Sequence, residues 1–201
     1  MRADALRRMG FAELAPVEAI PWAAADPRPA LEACLPGLAG RLDPVACYRL
    51  AGRWHLAYRL GEAWIGAGPP TRRPTISAEW APLGWRVPRP LARVLAVHDG
   101  LGPIDGPRAH WWRDALLPAR DLRPVSSRMR FGEEDILYRP ADLLLFAPDG
   151  AGGGRCFDRT EGPAADPPTR HWRASDRRLG PTLSFADFVA GLVARWTGDA
   201  P

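Results

Sequence analysis

Proline and glycine punctuate this chain so closely that no element can run long. The 23 prolines and 20 glycines together fill roughly a fifth of the 201 positions. Proline removes a backbone donor and fixes φ, and glycine opens the left-handed region, so each tends to end a helix or ladder rather than extend it. Their share stays below the ~25–30% at which low-complexity behaviour becomes the default. With 46% hydrophobic residues there is ample material for a core. The expectation is a globular chain of short elements and long, proline-stiffened loops, one domain in length or one domain with an extension.

The residues it lacks narrow the chemistry. All 27 basic residues are arginine, and there is no asparagine or glutamine. Without lysine there is no P-loop lysine, no Schiff-base enzyme and no kinase-type ATP site. Without side-chain amides the usual readers of adenine are missing. The formal net charge is +4. Arginine forks onto carboxylates and phosphates, so an acidic partner fits. No arginine run exceeds two residues, however, and a solvated face explains most of the surplus. Cys34, Cys47 and Cys156 are odd in number and far apart, the usage of a reducing compartment. They read as small buried hydrophobes, with a Cys34–Cys47 disulfide left open. The stretch from Met1 to Arg8 lacks the apolar run of a signal peptide, and nothing approaches the ~18 apolar residues of a membrane span. A cytoplasmic chain with no membrane partner is expected.

The last element is the best signposted. Ser184 and Asp187 form a capping-box-like pair, and Phe185, Phe188, Val189, Leu192, Val193 and Trp196 then fall on one helical face that Gly198 ends. A second helix runs from about Pro88 to His98, with prolines in its first turn, Leu91, Val94 and Leu95 on one face, and a stop at Asp99-Gly100. Ile76 to Trp80 reads as a short helix. Strands are expected at Leu143–Ala147 and Arg155–Asp158 around a glycine turn, and at Thr169–Ala174, with Thr182-Leu183 feeding the final helix. Leu116–Leu122 is a further strand or edge segment. Earlier, Leu31, Cys34, Leu35 and Leu38 suggest a helix broken at Pro36. Cys47–Leu50, Trp54–Leu60 and Ala63–Ile65 suggest three short strands, followed by a proline-rich linker from Gly66 to Pro74. The sum is an α+β chain: an extension at 1–75 with short strands, and a domain at 76–201 with a central, mostly antiparallel sheet flanked by helices.

Searching for chemistry turns up no assembled site. His55, His98, His110 and His171 are scattered, with neither an HExxH motif nor a helical pair. His98 reads as a helix-dipole partner or a core residue. There is no Gly-x-Ser-x-Gly elbow, and Ser126-Ser127 lies in an arginine-rich loop. Gly150 to Gly154 leads into a strand, so the helix that a phosphate cradle needs is missing and a hairpin turn explains it. Glu133-Glu134-Asp135 reads as a solvated acidic turn. No catalytic residue, cofactor or metal is expected. Tryptophan is the odd feature, nine in all. Trp111 and Trp112 would point to opposite faces of a strand, so one can serve a core while the other anchors a protein partner.

Two passages carry a family pattern: Leu83-Gly84-Trp85-Arg86-Val87-Pro88-Arg89-Pro90-Leu91 continuing through Val97-His98-Asp99-Gly100-Leu101-Gly102, and Leu143 to Asp158 with its hydrophobic strand, Pro-Asp-Gly, glycine turn and Cys-Phe-Asp. With a Trp-bearing strand at Trp172 and the Ser-Phe-Ala-Asp-Phe helix, they resemble in this order the SUKH superfamily, the Smi/Knr-type proteins abundant in bacteria. The resemblance covers about residues 76–197. His98-Asp99 stands where an asparagine before the glycine is more usual, and the N-terminal region is an added decoration.

The resemblance implies a non-enzymatic immunity protein that binds and neutralises a cognate toxin of a polymorphic or contact-dependent bacterial system. The expected contact residues are Asp99, Asp105, His110, Trp111, Trp112 and Arg113, with Glu133 and Glu134 as an acidic docking patch. Inhibitors of basic nuclease toxins are often acidic, whereas this chain is basic. Either the toxin is of another kind or that local patch docks it. The alternative is a general protein-interaction or regulatory module. An arginine-driven nucleic-acid binder ranks behind both.

Overall fold

In the computed structural model, residues 2–72, 74, 83–107, 113–125, 140–160, 166–173, 175 and 178–199 are described. The expected short helix at Ile76–Trp80 lies outside them. Alternation in the first half builds a meander: β2 (Asp43–Leu50), β3 (Arg53–Leu60) and β4 (Ala63–Ala67) pair antiparallel through two-residue turns. A short β1 (Leu14–Ala15) lies against β2, and β5 (Leu101–Pro103) against β4. Along β3, Leu56, Tyr58 and Leu60 enter the main core while Ala57 faces the other way, as the period of two dictates. There Leu6 of α1 (Arg2–Arg8) joins Phe11, Ala46, Tyr48 and Ile104 in a smaller core.

The second sheet has the order β10 (Arg178–Leu179), β9 (Thr169–Arg173), β8 (Gly154–Asp158), β7 (Leu143–Pro148), β6 (Arg123–Pro124), again antiparallel throughout. The α+β class stands, with two five-stranded sheets where one was anticipated. Residues 113–117 join them. Leu116 exchanges hydrogen bonds with Leu101 at 2.7 and 3.0 Å, and on the other side Leu117 N–H donates to Phe146 O at 2.9 Å and Asp114 N–H to Pro148 O at 3.0 Å. Gly102 permits that approach, because a Cβ there would overlap Ala115. The first sheet thus takes its last strand from beyond residue 75. The proline-rich stretch after β4 is tied down as well: Gly68 N–H donates to Gly100 O, and Asp99 N–H to Pro69 O.

Helices α2 (Pro21–Ala24), α3 (Arg28–Glu32), α4 (Arg89–Val97) and α5 (Phe185–Thr197) contribute to the main core. The expected helix through Leu38 ends earlier, at Glu32. Pro36 disfavours helix at the residue before it, and the Glu32 carboxylate instead accepts from Gly37 N–H (2.7 Å) and Ala39 N–H (3.0 Å). Leu35 and Leu38 are buried all the same. The strand expected near Leu116–Leu122 is interrupted after Pro118 by a 3-10 turn at Ala119–Asp121.

α5 follows its sequence closely. Ser184 Oγ accepts from Asp187 N–H at 3.0 Å and donates to the Asp187 carboxylate at 2.7 Å, and Gly198 closes the helix at φ 74°. Five apolar side chains of α5 are buried, and Trp196 Nε1–H donates to Asp114 O at 2.7 Å. Ser184→Ala is expected to cost about 1 kcal/mol in a denaturant titration, the typical loss of an N-cap. Among the described residues no helix is long and apolar enough to cross a membrane.

Candidate functional site

α5 lines two concavities. The larger, about 760 Å³, is walled by Pro36 beyond α3, Pro90 of α4, Pro167, Pro168, Leu183 and Val189 of α5. Its lining is mainly apolar, with Arg93, Asp166 and Asp187 as charged members, and its prolines make it stiff: proline has little backbone freedom left to lose when something docks. Leu183, at 37% one of two large hydrophobics left exposed among the described residues, lies on its rim.

The smaller concavity, about 310 Å³, opens on the other side of Leu183 and Asp187, above the ends of β7, β8 and β9. Its floor depends on the β7–β8 turn. Asp149 Oδ1 accepts from Ala151 N–H (2.8 Å) and Gly153 N–H (3.0 Å), an aspartate-capped turn. Gly154 then sits at φ 153°, where a Cβ would collide with the Ala147 carbonyl oxygen and lie 2.8 Å from Pro148 Cα. Only glycine fits. The other oxygen of Asp149 is 3.1 Å from His171 Nε2. Arg155 is paired across the ladder with His171, and its guanidinium carbon lies 5.3 Å from the Phe188 ring centroid. Burial pulls the Arg155 guanidinium below its usual range. Arg195 Nε is 3.1 Å from Asp114 Oδ1 at the opposite wall.

The expected contact residues divide. Asp99 is buried at 5% exposure, and both carboxylate oxygens are engaged inside the chain. Oδ1 accepts from Ala119 N–H at 2.7 Å and Oδ2 from Arg53 at 3.3 Å. Its place is therefore a brace between β3 and the Ala119 turn, with no oxygen left to present outward. Asp105 and Arg113 are both about half exposed and 4.0 Å apart, and the backbone of Arg113 pairs antiparallel with that of Asp149 at the β7–β8 turn. His110, Trp111, Trp112, Glu133 and Glu134 lie outside the described residues.

Sequence reasoning passed over Arg155, Asp149 and His171. A signal existed: in Arg155-Cys156-Phe157-Asp158 the arginine shares the phase of Phe157, and Phe157 is fully buried.

Two of the histidines and two of the cysteines are buried inside the fold. His98 is fully buried; its Nδ1–H donates to Gly68 O at 3.1 Å and its Nε2 accepts from Tyr58 O–H at 3.0 Å. Burial lowers its pKa to about 4, a neutral imidazole. His55 is buried against Tyr48, with ring centroids 5.4 Å apart, and burial likewise lowers its pKa to about 4. Cys34, Cys47 and Cys156 are free thiols. Burial pushes Cys47 up to about 11 and raises Cys34 and Cys156 as well. Among the described residues no three His, Cys, Asp or Glu side chains converge to hold a metal ion. Comparison with family models, curated proteins and solved structures finds no match in any of the three.

Proposed function

We propose that the chain acts by binding another protein, and that this partner is a bacterial toxin which it neutralises in the cytoplasm. The observation that carries the reading is the proline-walled, mainly apolar concavity beside α5, with Leu183 exposed on its rim. Rigid apolar surface of this kind suits docking, since little ordering entropy opposes it. Two further points support the reading. His55, His98, Cys47 and Cys156 are buried and so badly placed to meet a substrate. The segments around Leu83–Gly102 and Leu143–Asp158 resemble the SUKH superfamily, whose bacterial members are commonly immunity proteins. Binding would occlude the toxin over roughly 800 Å² of each partner, an interface of ordinary size.

The test is co-expression with the product of the neighbouring gene. Relief of that product's toxicity, with co-elution of the pair on size exclusion, is the expected result. Absence of a complex at about micromolar concentration, together with unrelieved toxicity, would overturn the proposal.

A further inference from the structure

Arginines without partners collect along α4. Between Glu62 and Asp99 the sequence holds five arginines and one acid, Glu79. Arg72, Arg86, Arg89 and Arg93 are open to solvent, and none of them makes a hydrogen bond or ion pair among the described residues. By contrast, Arg7, Arg41, Arg49 and Arg195 elsewhere on the surface each hold a carboxylate. Arg89 and Arg93 stand one turn apart on a single face of α4, about 6 Å between their Cβ atoms. Thr71 N–H donates to Leu95 O at 2.9 Å and so brings the chain at Arg72 to the other end of the helix. The stripe borders the larger concavity at Arg93. One wall of that concavity is built by α4 and the end of α3, which pack together. The other is built by α5 and residues 166–168, joined where Thr169 and Leu183 exchange hydrogen bonds at 2.8 and 2.9 Å. Both acids of the lining, Asp166 and Asp187, belong to this second wall, and Ser184 already donates to Asp187. On the α4 side, the Glu32 carboxylate is taken up by the Gly37 and Ala39 amides.

Resting on the protein-binding reading above, we infer that α4 receives an acidic face of the partner protein, whose segment lays apolar side chains in the 760 Å³ concavity and sets carboxylates on Arg89 and Arg93 beside it. Guanidinium groups open to water are within a partner's reach, and they fork onto carboxylates. Two features select protein over nucleic acid. The concavity suits aliphatic side chains; the one aromatic ring of its lining, Phe185, is 8% exposed and offers no platform on which a base could stack. Phosphates also recur along a whole strand and would meet Asp166 and Asp187 as well, whereas a protein segment can carry its acids on one side. The expected recognition element is an amphipathic segment with an acidic edge next to its apolar face.

The test uses the whole chain and labelled peptides of about sixteen residues, long enough to form helix, built on the repeat Ala-Glu-Leu-Ala with glutaminyl and lysyl counterparts. Fluorescence anisotropy at low salt is expected to show the glutamyl peptide binding about three- to tenfold more tightly than the glutaminyl one, the margin of two exposed ion pairs, and that margin should shrink at about 0.5 M salt. The double variant Arg89→Glu, Arg93→Glu should prefer the lysyl peptide to the glutamyl one. Its positions are exposed and it puts an acid in the first turn of α4, so it should melt close to the parent. Arg89→Ser alone should narrow the glutamyl margin. Equal affinity for the glutamyl and glutaminyl peptides, binding of neither, an unchanged order in the double variant, or tighter binding of an oligothymidylate of similar length would each overturn the inference. These measurements involve no toxin, so they fail or succeed apart from the proposed function. Conversely, a toxin complex whose affinity changes by less than about threefold in the double variant would remove α4 from the interface and leave the protein-binding reading standing.

Discussion

Phe146→Ala is expected to destabilise the chain by about 3–5 kcal/mol, the range for emptying a fully enclosed aromatic site. Phe146 has no exposed surface. Its ring centroid lies 4.3 Å from Phe157, 5.6 Å from Phe185 and 5.3 Å from Phe188, the last edge-on. These four rings join β7 and β8 to α5, so truncating the central one leaves a cavity at the helix–sheet contact. A guanidinium titration of the variant beside the parent checks this. A loss below about 1 kcal/mol would mean that α5 is not held by this cluster.

Stability is expected to fall as pH drops from about 6.5 towards 4, and the two buried histidines set the sign. His98 and His55 both have folded pKa values near 4, against an ordinary 6.5, because burial penalises the imidazolium. Between those values the unfolded chain takes up a proton at each ring and the folded chain at neither. Unfolding is therefore favoured by acid within that window, and the contribution is complete above about pH 6.5. Each ring can contribute up to about 3 kcal/mol across the interval. Denaturant midpoints measured at about pH 7.5 and about pH 5 should differ accordingly, with an NMR titration showing His98 neutral in the folded protein at the lower value. Equal midpoints would show that these imidazoles titrate as they do in water.

The elements that could be read from sequence are those whose causes are local. α5 has its cap at Ser184, its apolar face and its glycine stop within fifteen consecutive residues, Ser184 to Gly198. α4 starts on prolines and stops before Gly100, and β2 to β4 alternate between short turns. What escaped notice depends on distant partners. β1 and β10 are two residues long and exist only through pairing with β2 and β9. Residues 113–117 have no pattern of their own; they are ordered by Leu101 on one side and by Phe146 and Pro148 on the other. The same holds for the site. Asp99 sits beside a helix stop and looked available, but Ala119 and Arg53 enclose it from twenty and more residues away. Arg155 could be placed on a strand, but the helix that turns its position into a pocket comes thirty residues later.

That order has a cost during translation. α5 is made after every strand it covers, so Phe146, Phe157 and the apolar face of β7 and β8 are synthesised before the helix that encloses them. The first sheet and its small core under α1 can assemble early, while the second half waits as sticky, half-shielded strands. Chaperone demand should therefore concentrate on nascent chains stalled between β9 and α5, and a slow codon stretch there would harm yield more than one placed anywhere in the meander.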